Sequence, residues 1–176
     1  MSDALSRLCD GIDRFAEILG RAVAWGVVAM ALIVFAQVLA RHVFGVGSLW
    51  AQESVAYLHA AAVLFAAAWT LQAGGHVRVD VFYAEASART KAWIDLAGAL
   101  ALLVPFALLL ASLAVPYARR AWAIFEGSRE VGGLPVVFLF KTMIALFAAH
   151  LFVQGVAQAL RAGSQIAWAR ARAERS

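Results

Sequence analysis

Four uninterrupted apolar stretches dominate this chain, and nearly all of its charge falls between them. The runs Ala22 to Ala40, Ser54 to Val77, Leu96 to Ala118 and Thr142 to Leu160 contain no Asp, Glu, Lys or Arg. Each is about 19–24 residues long, which at ~1.5 Å per residue matches a hydrocarbon layer of ~30 Å. Backbone polar groups in lipid must be satisfied within the segment, and a helix does this. The pattern predicts four transmembrane helices, over about residues 22–40, 54–75, 95–118 and 135–160. A fifth, shorter pattern precedes them over residues 4–21. Leu5, Leu8, Ile12, Phe15 and Leu19 recur at spacings of three and four, and Arg7, Asp10, Arg14, Glu17 and Arg21 occupy the other face. This predicts an amphipathic helix that lies in the inner interface, with packing on a partner as the alternative.

The expected fold is thus an all-α integral membrane protein, a single domain over residues 1–176. Composition agrees: 64% of the 176 residues are hydrophobic and 15% charged, against about 25% charged in soluble domains. The net charge of +4 reads as basic loops that hold topology and touch anionic lipid, rather than as a nucleic-acid surface. The single Cys9 excludes an intrachain disulfide and a cysteine metal cluster. The first apolar run is longer than a signal peptide's ~7–15 residues, and acidic residues precede it, so an uncleaved helix is expected.

Ten of the fifteen Lys and Arg fall in the N-terminal tail, the second loop and the C-terminal tail. The positive-inside rule then places both termini and the second loop in the cytoplasm, although Arg119 and Arg120 pull the other way. Trp25, Trp50, Trp69, Trp93 and Trp122 lie near the segment ends, where an indole prefers the headgroup level. The second run is rich in alanine, including Ala61 and Ala66, which suits close helix packing in lipid. Pro105 predicts a kink inside the third helix.

Polar groups within the spans are the candidates for chemistry. His59 and His150 have the residue type of axial haem ligands. Two ligands of one haem must share a depth, which holds if the fourth helix starts near Thr142 and fails if it starts near Leu134. The other reading is a pair of separate structural histidines. Lys141 follows an apolar stretch and either pairs with a carboxylate on a partner or snorkels outward. Gln37, Gln72, Gln154 and Gln158 suit interhelical hydrogen bonds. No mid-membrane carboxylate, phosphate loop, nucleophile motif or metal cluster stands out. The sequence offers no catalytic, substrate-binding, ion-binding or metal site and calls for no cofactor.

The loops carry the remaining signal. Arg41-His42-Val43-Phe44-Gly45 and Trp50-Ala51-Gln52-Glu53 follow the first helix, and Gly75-His76-Val77-Arg78-Val79-Asp80 follows the second. Glu126-Gly127-Ser128-Arg129-Glu130-Val131-Gly132-Gly133-Leu134-Pro135, then Lys141, lead into the fourth. Together these resemble the small membrane subunit, DctQ-like, of tripartite ATP-independent periplasmic (TRAP) transporters over residues 15–162. Gln52 departs from the family's frequent pair of acids after the tryptophan.

The resemblance implies a non-enzymatic permease subunit of a sodium-driven importer of organic acids. It would brace a large multi-helix permease subunit, work with a periplasmic substrate-binding protein, and bind no substrate itself. Arg41, Phe44, Trp50, Glu53, His76, Arg78, Asp80, Glu126, Ser128, Glu130, Gly132, Gly133, Pro135 and Lys141 are the motif and candidate interface residues. An Arg41–Glu53 salt bridge is expected to fix the first loop and orient Phe44 and Trp50. Gly132 and Gly133 are expected to form a tight turn, with Pro135 in the first turn of the last helix. The alternative function is a haem-binding anchor subunit of a membrane redox complex, through His59 and His150.

Overall fold

A computed structural model describes residues 3–73 and 83–173. Among these, five α-helices form four rods that are long and apolar enough to cross a membrane, and there is no strand. Helix α1 runs Asp3–Phe44 and α2 runs Leu49–Gln72. Helix α3, Ala88–Gly98, passes through a π-helical turn, Ala99–Leu103, into α4, Val104–Ala123. Helix α5 runs Val137–Ala173.

Residues 4–21 are helical, but they are not a separate element. They continue unbroken into the first span, because no proline interrupts the hydrogen-bond ladder there. Gly20 serves packing instead of a turn: a Cβ on it would stand 2.7 Å from the Trp69 ring. The 42 residues of α1 give a rod of ~63 Å, about twice the hydrocarbon thickness. The α1–α2 link is short. Gly45 takes a left-handed φ of 66°, which ends α1 at no steric cost. Ser48 caps α2, its Oγ accepting from the Ala51 N–H at 3.3 Å.

At Pro105 the structure has the π turn. The Val104 N–H reaches back to the Ala99 carbonyl, so the wider turn makes room where the ring would meet the preceding one. Ser87 caps α3 by accepting from the Thr90 N–H at 3.2 Å.

Helix α5 is the centre of the arrangement. It packs along α3 and α4 on one side and α2 on the other, and α2 pairs with α1. The tightest seam is made of small residues. Ala92, Ala99, Ala107, Ala114 and Ala121 are buried on the third rod, and on α5 the space left by Gly155 is closed by Leu103 and Val104. The five alanines of the third rod recur every seven or eight residues, which keeps them on one face, and small side chains let backbones approach where lipid supplies no hydrophobic drive. The seam expected on α2 is looser: Ala61 and Ala66 are only half-buried. Large apolar side chains on α1 (Leu32, Phe35, Leu39) and α4 (Phe106, Leu109, Leu113) point away from the chain.

Candidate functional site

The motif residues of the last loop meet at one end of the molecule. The chain leaves α4 by a sharp reversal in which Phe125 adopts a φ of 45°, a conformation uncommon for a bulky residue. Its N–H donates to the Trp122 carbonyl at 3.2 Å, and the Glu126 N–H donates to Ala121 at 2.9 Å. The loop then closes on itself. The Ser128 N–H donates to the Leu134 carbonyl at 2.9 Å, and the Gly133 N–H to Glu130 at 3.1 Å. Phe138 N–H donates to the Glu126 carbonyl at 3.1 Å, tying the loop's start to the entry of α5.

Glu53, just past the first turn of α2, clasps this loop. One carboxylate oxygen accepts from Ser128 Oγ at 2.5 Å, the other from the Leu134 N–H at 2.5 Å. Charged acceptors make the stronger class of hydrogen bond. The expected Arg41–Glu53 salt bridge is therefore not formed among the described residues; Arg41 is exposed at the end of α1. A loop N–H and a hydroxyl held in place offer Glu53 fixed partners, whereas an exposed ion pair contributes little.

The two glycines divide their roles. Gly132 takes the positive φ, 83°, that a left-handed turn position requires. Gly133 provides space: a Cβ there would collide with Ser128 Oγ and stand 2.8 Å from Glu53 Oε1. Pro135 lies two residues ahead of α5 rather than within its first turn. Lys141 finds a carboxylate on its own chain, Glu126 Oε2 at 2.6 Å, and its ammonium lies 4.1 Å from the centre of the Tyr117 ring. Trp122 Nε1–H donates to Thr142 Oγ1 at 2.8 Å. Trp122, Phe125 and Phe138 pack edge to face beside it. The loop is thus fastened to α2, α4 and α5. Its tip, Arg129 to Val131, is exposed, as are Phe44 and Trp50 on the neighbouring helix ends. Glu130 keeps its N–H on Ser128 Oγ at 3.2 Å.

His76, Arg78 and Asp80 lie outside the described residues. At the opposite end of the molecule Gln154 makes the interhelical hydrogen bond expected of it, within an ion pair that the sequence did not reveal. Asp13 on α1 pairs with Arg161 on α5 at 2.6 Å and accepts from Gln154 Nε2 at 3.2 Å. Cys9 and Ala16, on the same face, are buried. Asp13 thus lies on the face of α1 that meets α5, with Cys9 and Ala16 buried beside it, while Leu8 and Phe15 remain largely exposed although the Phe15 ring meets His150 of α5. The spacing of Cys9, Asp13, Ala16 and Gly20 was the available signal.

The two histidines do not come together. His59 is exposed in a groove between α1 and α2. His150 lies buried on α5 against Phe15, in a different groove. No group of three potential metal ligands occurs among the described residues.

The family model for "Tripartite ATP-independent periplasmic transporters, DctQ component" matches residues 30–165, most of the chain and all of the clasp around Glu53. The chain belongs to the DctQ family. It is a small, multi-pass membrane subunit of a TRAP transporter, from a family of transporter components rather than of enzymes, and a tripartite assembly implies partner subunits. Comparison with curated proteins and with solved structures gives no match.

Proposed function

We propose that this DctQ-family chain is a static brace in the inner membrane, holding a large multi-helix permease subunit while binding no substrate itself. The carrier would be sodium-driven and would import organic acids or similar small anions handed over by a periplasmic binding protein. Both termini would lie in the cytoplasm, with the clasped loop on the periplasmic face as a contact platform. The observation that carries this reading is the outer clasp. Glu53, Ser128, Glu126 and Lys141 spend their polar groups on fastening the loop, which suits a fixed contact surface better than a moving transport site. Asp13 is likewise committed to Arg161 and Gln154. The outward apolar faces of α1 and α4 supply large surfaces for another membrane helix or for lipid.

Reconstituted vesicles test it. Uptake of a cargo acid is measured with the large subunit and binding protein, with and without this chain, under a sodium gradient. The expected result is a stable complex with the large subunit and uptake that needs both membrane subunits. Full-rate uptake without this chain, or uptake by this chain alone, overturns the brace.

A further inference from the structure

Helix α2 is covered over most of its circumference. It packs on α1 on one side and on α5 on the other. From Gln52 to Val63 only Gln52, Ala56, His59 and Val63 are exposed. Their spacing of four, three and four residues is that of a coiled-coil seam, a strip about one helix contact wide. Beside it a groove of about 420 Å³ runs between α1 and α2, with Ala24 and Val27 on one wall and Ala62 and Ala66 on the other.

This strip is unlike the other outward faces. Helices α1 and α4 turn Leu32, Phe35, Leu109 and Leu113 outward, side chains that suit acyl chains. The α2 strip offers Val63 alone as an apolar side chain larger than alanine, and it carries a histidine. With the Trp50 indole at the headgroup level, His59 sits ~13 Å further along the axis, inside the hydrocarbon layer. His59 is exposed and makes no hydrogen bond among the described residues. An imidazole facing acyl chains loses its hydration and gains nothing, since lipid tails hold no donor or acceptor. Intramembrane histidines therefore face protein. The strip has room for one helix, and the family match implies partner subunits.

From this mismatch with lipid we infer that the α2 strip seats one transmembrane helix of the large permease subunit. That helix sets a ridge of side chains into the groove beside the strip and brings a hydroxyl, amide or carboxyl group to His59. The contact is small-residue packing with one polar link, and the outward face of α4 is left to lipid. The name of the partner rests on the brace proposed above; the choice of face rests on α2 alone.

Photo-crosslinking in membranes that hold the full chain together with the large subunit tests the seat. A benzophenone side chain in place of Val63 is expected to capture the large subunit, and one in place of Leu109 to capture lipid. His59→Leu should weaken copurification about threefold, the average worth of an interhelical hydrogen bond in lipid. His59→Asn, which can still donate and accept, should weaken it less. Ala56→Phe should block the strip. Both Ala56 and His59 are exposed, so in the isolated chain Ala56→Phe and His59→Leu should unfold no earlier than the wild type, which separates a lost contact from a lost fold. Copurification with capture from Leu109 and none from Val63 overturns the seat and leaves the brace standing. Capture of only lipid, or of a second copy of this chain, from Val63 overturns it as well, as does unchanged copurification in either His59→Leu or Ala56→Phe. Absence of any complex between the wild-type chain and the large subunit overturns the seat and the brace together.

Discussion

At the residue scale the Glu53 clasp turns on a single hydrogen atom. Gly133 has no side chain, and that absence lets Glu53 reach both Ser128 Oγ and the Leu134 N–H. Gly133→Ala would place a methyl group in the carboxylate's path. The expected cost is that of overpacking, about 1–3 kcal/mol, concentrated in the loop. Arg129 sits at the exposed tip, so trypsin in mild detergent reads the effect: Gly133→Ala should be cut there faster than the wild type. Glu53→Gln should move the same way, because a neutral amide gives up the charge-assisted hydrogen bonds that the carboxylate accepts from Ser128 and the Leu134 N–H. Unchanged protection in both variants would mean that the clasp does not hold the loop. Glu53, Ser128, Gly133 and Lys141 were all legible in the sequence as motif positions. Their partners were not. Glu53 and Ser128 stand 75 residues apart and Asp13 and Arg161 stand 148 apart, and no local spacing encodes such pairings.

At the element scale the rods were read correctly from uninterrupted hydrophobicity, since length and the absence of charge are the physical requirements for a span. Their junctions were harder. Residues 4–21 carry their own amphipathic period, which suggests an independent helix, yet nothing between Gly20 and Ala22 stops the backbone from continuing. The packing seam was hidden for a different reason. The alanine run of α2 is conspicuous by density, whereas the seam on the third rod depends on a spacing of seven to eight residues from Ala92 to Ala121. Ala107 is fully buried there. Ala107→Leu should therefore lower the thermal unfolding midpoint in detergent, by an amount corresponding to about 1–3 kcal/mol. Ala61→Leu on the half-buried face of α2 should cost the isolated chain less. Equal midpoints for the two variants would count against a seam that depends on small residues.

At the scale of the whole molecule, what matters is which end faces which compartment. The clasped loop and the Asp13–Arg161 contact lie at opposite ends of the rods, so fixing the side of one fixes the other. Lys and Arg favour the end bearing the termini and the second loop by ten of fifteen, and such a bias predicts a cytoplasmic position for that end. Arg119 and Arg120, at the far end of α4, work against it. Two positions separate the possibilities. Val131 is fully exposed at the loop tip, and Glu85 is exposed ahead of α3. The native thiol, Cys9, is buried against other side chains and would be removed by Cys9→Ala. On that background, Val131→Cys should react in intact cells with a membrane-impermeant maleimide. Glu85→Cys should react only after the membrane is opened. The reverse pattern would turn the molecule over, put the clasp in the cytoplasm, and leave it unable to meet a periplasmic binding protein. The bias in charge and the proposed role of the loop thus stand or fall on one labelling experiment. Neither depends on the packing of the rods, which is the same in both orientations.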